Sequence, residues 1–263
     1  MTQSNLSIPS VTLTTDWGKH DFYCGMLKGR LLSVSPTIKI VDITHDIPSF
    51  NTHNAAFVLR HSYSYFPQGS IHLAMINTDS SAKSRLLITE YQGHLFVLPD
   101  NGMLDLLFSS SPENVFQFAF EPSSSFASID AFVSVVEKIY QGIAIENIGE
   151  KVEDYDKKIV LRATIDESTI SGSIIYIDSY QNAITNISKS LFDRIGKGRN
   201  YNIFVQSNHN KISKLSTTYN EIDPGEILGL FNSANLLEIA IRNGYAAELL
   251  SLKIGGSVRI NFY

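Results

Sequence analysis

A chain of 263 residues, 43% hydrophobic and 18% charged, is long and apolar enough for one large domain or two moderate ones, and this composition excludes global disorder. The formal net charge of -5 argues against broad attraction to nucleic acid or anionic membrane, whose phosphates an acidic surface repels. The single cysteine, Cys24, excludes an intramolecular disulfide and a thiolate zinc site; with no basic leader and no apolar run of membrane-spanning length, the expected compartment is the cytoplasm.

Residues 11–15 alternate and are β-branched, which predicts a half-buried strand ending in the polar turn Asp16-Trp17-Gly18. Residues 23–32 place Tyr23, Met26, Leu27, Leu31 and Leu32 at helical spacing before Pro36, with Cys24 as a half-buried helix residue. A second strand is expected at 38–43, an amphipathic helix at 54–65 ended by Pro67 and Gly69, and a third strand at 70–76. This alternation of strand and helix implies an α/β domain with a largely parallel sheet. Strand-like runs at 85–91 and 94–98 flank a Gln92-Gly93 turn, followed by a helix at 102–108, a run at 115–120 and a helix at 130–140.

The charged stretch 150–158 has little periodicity and reads as the start of a linker. Short alternating segments follow at 170–177, 183–187, 201–205, 212–215, 227–231, 237–241 and 257–262. Such spacing predicts a smaller all-β, barrel-like C-terminal domain. The expected division is therefore 10–158 for the α/β domain and 159–263 for the β domain.

Open α/β sheets bind ligands outside the carboxyl ends of their strands, which directs attention to three loops. They are Thr14-Thr15-Asp16-Trp17-Gly18, the loop from Thr44 through His45 and Asp46 to Phe50, and Asn77-Thr78-Asp79-Ser80-Ser81. Asp16 reads equally as a ligand for a ribose diol or as a cap on the following helix. His45, beside Asp42 and Asp46, reads as a hydrogen-bonded structural residue. No glycine spacing suits a phosphate loop, and no cluster of histidine and carboxylate has metal-ligand spacing.

Seven segments fall in the order seen in one family. They are Thr14-Thr15-Asp16-Trp17-Gly18, Gly25-Met26-Leu27-Lys28-Gly29, Ile40-Val41-Asp42-Ile43-Thr44-His45, Tyr65-Phe66-Pro67-Gln68-Gly69, Pro99-Asp100-Asn101-Gly102, Ile175-Tyr176-Ile177-Asp178 with Asn182 and Thr185-Asn186-Ile187, and Asn232-Ser233 with Leu237-Glu238-Ile239-Ala240. From about residue 10 to the end the chain resembles the S-adenosylmethionine hydroxide adenosyltransferase family, which includes the fluorinating and chlorinating enzymes. The resemblance implies that Asp16 holds the ribose hydroxyls, that Phe50 lies against the ligand, that Ser80 lies near the reacting carbon, and that Asn77 is among the ligand-binding positions. It implies that Asp178 and Asn182 hold the methionine part, and that Asn232, Ser233 and the backbone from Arg242 to Gly244 meet the adenine edge. It further implies a homotrimer with each ligand between neighbouring subunits, S-adenosylmethionine or adenosine as the ligand, and no separate cofactor or metal.

The family reaction is displacement at ribose C5′ with methionine leaving. Hydrolytic members are marked by an acid in a Val-Asp-Pro-Gly stretch, by arginines, and by a histidine in a Ser-Thr-Phe-His-Gly-Arg-Asp stretch. This chain has Asn77, then Ser84-Arg85, and Ala127 at those places, so Asp79 and Arg85 become the candidates for the missing acid and arginine. Ser128 matches the position where a halogenating relative places a serine near its halide. The expectation is an S-adenosylmethionine hydrolase that forms adenosine; the alternative is a binding protein that kept the pocket and lost the chemistry, and a halogenase ranks last.

Overall fold

The computed structural model describes residues 10–78, 84–108 and 110–263. The chain divides into two compact units, Met1–Val160 and Leu161–Tyr263. Among the described residues no helix is long and apolar enough to cross a membrane.

The first unit runs β1 (Val11–Thr15), α1 (Tyr23–Val34), β2 (Ile40–Thr44), α2 (Thr52–Arg60), β3 (Ile71–Met75), β4 (Arg85–Tyr91), β5 (His94–Pro99), α3 (Met103–Leu107), β6 (Val115–Ala119), α4 (Ala127–Tyr140), α5 (Ile145–Ile148) and β7 (Glu150–Lys151). Its sheet has the order β2-β1-β3-β5-β4-β6-β7. The parallel sheet expected from the alternation is the block β2, β1, β3 and β5. Gln92 and Gly93, both at positive φ, close a hairpin that returns β4 into β5 antiparallel, and β6 and β7 extend that antiparallel edge. The sheet as a whole is mixed.

Both faces of this sheet are covered, which is why its strands read as nearly continuous apolar runs. Leu13, Leu73, Leu86 and Val97 pack on one side with Leu27 and Leu31 of α1 and Phe132 and Val136 of α4. Ala74, Leu87, Phe96 and Leu98 alternate to the other side, against Ala55 and Leu59 of α2 and Met103 and Leu107 of α3. Helix α2 starts two residues earlier than the periodicity suggests, because Asn51 caps it by accepting the Asn54 N–H at 3.0 Å. It stops at Arg60, and Tyr63–Tyr65 forms a separate 3-10 turn. Cys24 lies half-buried in α1.

At the amino ends of the central strands a polar chain is sealed in the core. Thr12 Oγ1 lies 2.7 Å from His72 Nδ1, and His72 Nε2 lies 3.1 Å from His94 Nδ1. The rings of Tyr63 and Phe96 enclose the pair. Only one proton fits between the two imidazoles. Burial, followed by the neighbouring His94, pushes the His72 pKa from its ordinary 6.5 down to about 3.

The second unit runs β8 (Thr164–Ile165), β9 (Thr169–Ile177), β10 (Ala183–Ser188), α6 (Lys189–Gly196), β11 (Tyr201–Val205), β12 (Ser207–Ile212), β13 (Ile227–Phe231), β14 (Leu236–Ile241), α7 (Ala246–Leu249) and β15 (Ser257–Phe262). The antiparallel order β12-β11-β15-β9-β10-β14-β13 curls toward closure, with the Ser216 N–H reaching the Gly229 carbonyl at 2.9 Å between the two ends. Strand β9 turns the corner, pairing with β15 through its first half and with β10 through its second. The bend needs Gly172, where a Cβ would stand 2.5 Å from Ile187 Cγ1. The strand expected at 212–215 lies at Ser207–Ile212 instead. Its sequence Ser-Asn-His-Asn-Lys-Ile carries no apolar period because it is an edge strand with mostly exposed side chains.

The buried histidine has a consequence for acid stability. Below pH 6.5 the unfolded chain binds a proton at His72 that the folded chain refuses until about pH 3, so stability falls as pH drops through that window. The slope from this one group is about 1.4 kcal/mol per pH unit. Urea denaturation at pH 7, 6, 5 and 4 should show this slope, and His72→Gln should flatten it.

Candidate active site

Because β1, β2 and β3 are parallel, the three loops at their carboxyl ends emerge at one edge of the sheet. Asp16 follows β1 directly. Its Oδ2 accepts the Phe50 N–H at 2.8 Å and the Asn77 N–H at 3.3 Å, so one carboxylate oxygen ties all three loops together. Phe50 and Asn77 both have left-handed backbones, with φ of 65° and 47°. That conformation costs a side-chain-bearing residue, aromatic residues more than asparagine, and here it turns both N–H groups toward the carboxylate. Oδ1 of Asp16 makes no hydrogen bond among the described residues. The reading of Asp16 as a cap falls: α1 begins only at Tyr23, and its N-cap, Phe22, lacks a side-chain cap bond.

The first turn of α4 closes on the same place. Ser128, 3% exposed, donates to Thr78 Oγ1 at 3.3 Å, next to Asn77. Ala127 beside it is buried, and Phe126 stacks on Tyr23 at 4.6 Å. The Phe50 ring is 70% exposed. Asp79 and Ser80 lie outside the described residues.

Arg85 is held elsewhere. It sits 9% exposed on β4, with Nε 2.7 Å from Asp100 Oδ2, one terminal nitrogen on the Gln117 side-chain oxygen and the other donating to the Asp154 carbonyl at 2.6 Å. Asp100 is fully buried, and its second oxygen accepts the Asp156 N–H at 2.8 Å. Asn101, next in the same segment, donates to the Ile76 carbonyl at 2.8 Å and so braces the residue before Asn77. His45 is structural, as expected: Nδ1 lies 2.9 Å from Thr15 Oγ1 and Nε2 3.2 Å from Asp42 Oδ1, too poorly aligned for a hydrogen bond. Burial works against the Asp42 carboxylate, but the Lys28 hydrogen bond and the His45 side chain outweigh it and lower its pKa.

In the second unit a cavity of about 1200 Å³ gathers Asp178, Asn182, Asn232, Ser233 and Gly244, the five residues singled out there from sequence. Asp178 Oδ1 accepts the N–H groups of Tyr180 and Asn182 at 2.9 and 2.8 Å, which shapes the turn between β9 and β10. Asn232 Oδ1 likewise accepts from Ala234 and Leu236 and shapes the turn before β14. Gly244 closes the turn after β14, where a Cβ would stand 2.7 Å from Ile241 Cγ2.

Residues 11–149 match the family model described as SAM hydroxide adenosyltransferase N-terminal domain, and residues 172–259 match that of its C-terminal domain. The chain belongs to this family. It is 31% identical, over 92% of both chains, to a protein of Methanocaldococcus jannaschii named (R)-S-adenosyl-L-methionine hydrolase. A protein of Thermus thermophilus with the same name is 25% identical over 95% of this chain and 98% of its own. A fluorinase of Actinopolyspora mzabensis is more distant, at 22% over 97% of each. A conserved protein of Thermotoga maritima has the same fold, with a TM-score of 0.85 over 95% of this chain and 99% of its own, at 24% identity.

Sequence reasoning assigned no role to Glu238 or Tyr219, which also line the cavity. Glu238 is 3% exposed, with the Tyr219 hydroxyl 2.6 Å from Oε1 and Asn232 Nδ2 3.1 Å from Oε2. The available signal was a lone acid inside the apolar run Leu237-Glu238-Ile239-Ala240-Ile241, since a buried polar residue is the informative exception. Tyr219 lies in a stretch without periodicity and left no such mark.

Three substitutions separate the loop edge from its support. Asp16→Ala should cost about 1–3 kcal/mol in urea denaturation, because two backbone donors lose their acceptor, whereas Asp46→Ala, which removes an exposed pairing with Lys19, should stay within about 1 kcal/mol. Arg85→Met should cost about 3–5 kcal/mol by leaving Asp100 buried and unpaired.

Proposed function

We propose that this chain hydrolyses S-adenosylmethionine at ribose C5′, giving adenosine and methionine. The observation that carries the reading is Asp16: a carboxylate fixed by one oxygen where three loops meet, whose other oxygen makes no hydrogen bond among the described residues and can accept from a vicinal diol. Relatives that match the chain from end to end and are named (R)-S-adenosyl-L-methionine hydrolase support the same conclusion.

In this reaction the C5′–S bond breaks as a water oxygen bonds to C5′. The bonding pair returns to sulfur, the sulfonium becomes a neutral thioether, and one water proton goes to solvent or to a nearby base. The leaving group needs no acid, so the protein's task is to orient and desolvate the water, and proximity alone supplies about 7–11 kcal/mol. We assign water orientation to the hydroxyls of Ser128 and Thr78 with the Asn77 side chain, and proton acceptance to Asp79. The family resemblance assigns Ser80 to the reacting carbon, and Phe50 is proposed to cover the ligand. Asp178, Asn182, Asn232, Ser233 and Gly244 hold the methionine and adenine parts. Arg85 has a structural role, because its donors already meet Asp100, Gln117 and Asp154. S-adenosylmethionine is the substrate and no cofactor enters the scheme. A homotrimer belongs to the same proposal and is tested by light scattering on the eluted protein.

A second reading, binding without turnover, is favoured by Asn77 and Ala127 standing where the hydrolytic pattern has an acid and a histidine. Incubation with S-adenosylmethionine and separation of products distinguishes the two. The hydrolase releases adenosine and methionine in amounts exceeding the protein; a binder yields at most one nucleoside per chain. Asn77→Asp keeps a residue that tolerates the left-handed backbone and should raise turnover by up to about 10²-fold through general-base assistance.

A further inference from the structure

The cavity of the second unit has a wall whose hydrogen-bonding sense is set from beneath. Asn232 Oδ1 accepts the N–H groups of Ala234 at 3.0 Å and Leu236 at 3.2 Å, so the amide can turn only Nδ2 toward Glu238. Glu238 is buried and takes that donor on Oε2 at 3.1 Å, while Oε1 lies 2.6 Å from the Tyr219 hydroxyl. Tyr219 is the donor in this bond, so its one proton is committed. Burial, then the hydrogen bond to Glu238 and the charges of Glu238 and Asp178, raise the Tyr219 pKa, so the phenol remains a neutral donor. The hydroxyl makes no other hydrogen bond among the described residues, and lone pairs are all it offers to the cavity.

We infer that Tyr219, oriented by Glu238, is a specificity-determining residue that accepts a hydrogen bond from an N–H of the ligand and so selects an amino-bearing purine over its oxo counterpart. The inference rests on the adenosyl reading and deepens it. An exocyclic amine supplies the donor this wall requires. A carbonyl in its place sets lone pair against lone pair and leaves both unsatisfied in a partly desolvated pocket, so discrimination includes a repulsive element as well as a lost bond. Glu238 acts through Tyr219 and Asn232 and is a positioning residue.

Calorimetric titration of the full chain with adenosine, inosine and purine riboside tests this. The wild-type protein should bind adenosine at least about tenfold more tightly than inosine, the size expected for one hydrogen bond made or left unmade. Tyr219→Phe should bring that ratio to within about threefold and leave purine riboside unaffected. Glu238→Gln provides a second variant: its amide can donate to the phenol oxygen, releasing the Tyr219 proton toward the cavity, and should raise inosine affinity relative to adenosine. A wild-type ratio near one, a ratio unchanged by Tyr219→Phe, or an equal loss for all three nucleosides overturns the inference. Failure of both adenosine and S-adenosylmethionine to bind removes the underlying functional reading as well, and is distinct from binding without discrimination.

Discussion

A single carboxylate oxygen links the three loops at the carboxyl edge of the first unit's parallel strands. Loops at the ends of three parallel strands have no ladder to hold them, and their N–H groups must find acceptors of their own. Asp16 supplies one for the loop after β2 and one for the loop after β3, from a position fixed by a strand buried along its whole length. The two backbones that receive it, at Phe50 and Asn77, adopt a conformation that would be unfavourable without such a partner. Structural tie and the proposed ligand contact are thus compatible roles for the same side chain, since Oδ2 makes the tie and Oδ1 makes no hydrogen bond among the described residues.

The same device recurs with different partners. Asp178 and Asn232 each gather two backbone N–H groups into a turn at the cavity of the second unit. Asp100 and Arg85 form a buried pair that reaches the Gln117 side chain and the backbone at Asp154 and Asp156, fastening the outgoing chain to the first unit's sheet. Such a pair is weak evidence of net stability, because desolvation offsets much of the attraction, but it specifies one route for the chain. In each case a side-chain oxygen does for irregular backbone what a neighbouring strand does within a sheet.

The chemistry proposed for the site is sparing in its demands. Departure of a neutral thioether from a sulfonium requires no acid, so a site lacking a histidine at Ala127 and an acid at Asn77 still has alignment and desolvation to offer. The hydroxyls of buried Ser128 and half-buried Thr78 stand beside Asn77 at the edge where such alignment would be needed.

The sequence by itself determined the strands and helices whose side chains are buried in a regular period, the division into an α/β part and a β part, the hairpin at Gln92-Gly93 and the family. It was also enough to single out Asp16 and the five residues that meet in the cavity of the second unit, because motif order survives where overall identity is low. Burial imposes periodicity, and periodicity is legible. What carried no period was decided by tertiary structure: the exposed edge strand Ser207–Ile212, the antiparallel edge strand Glu150–Lys151 of the first sheet, and the enclosure of Arg85 by groups 15, 32 and 69 residues away along the chain. The sense of the hydrogen bond between Tyr219 and Glu238 belongs there too, because a donor's direction depends on which acceptor the fold brings within 2.6 Å, and no spacing along the chain records that.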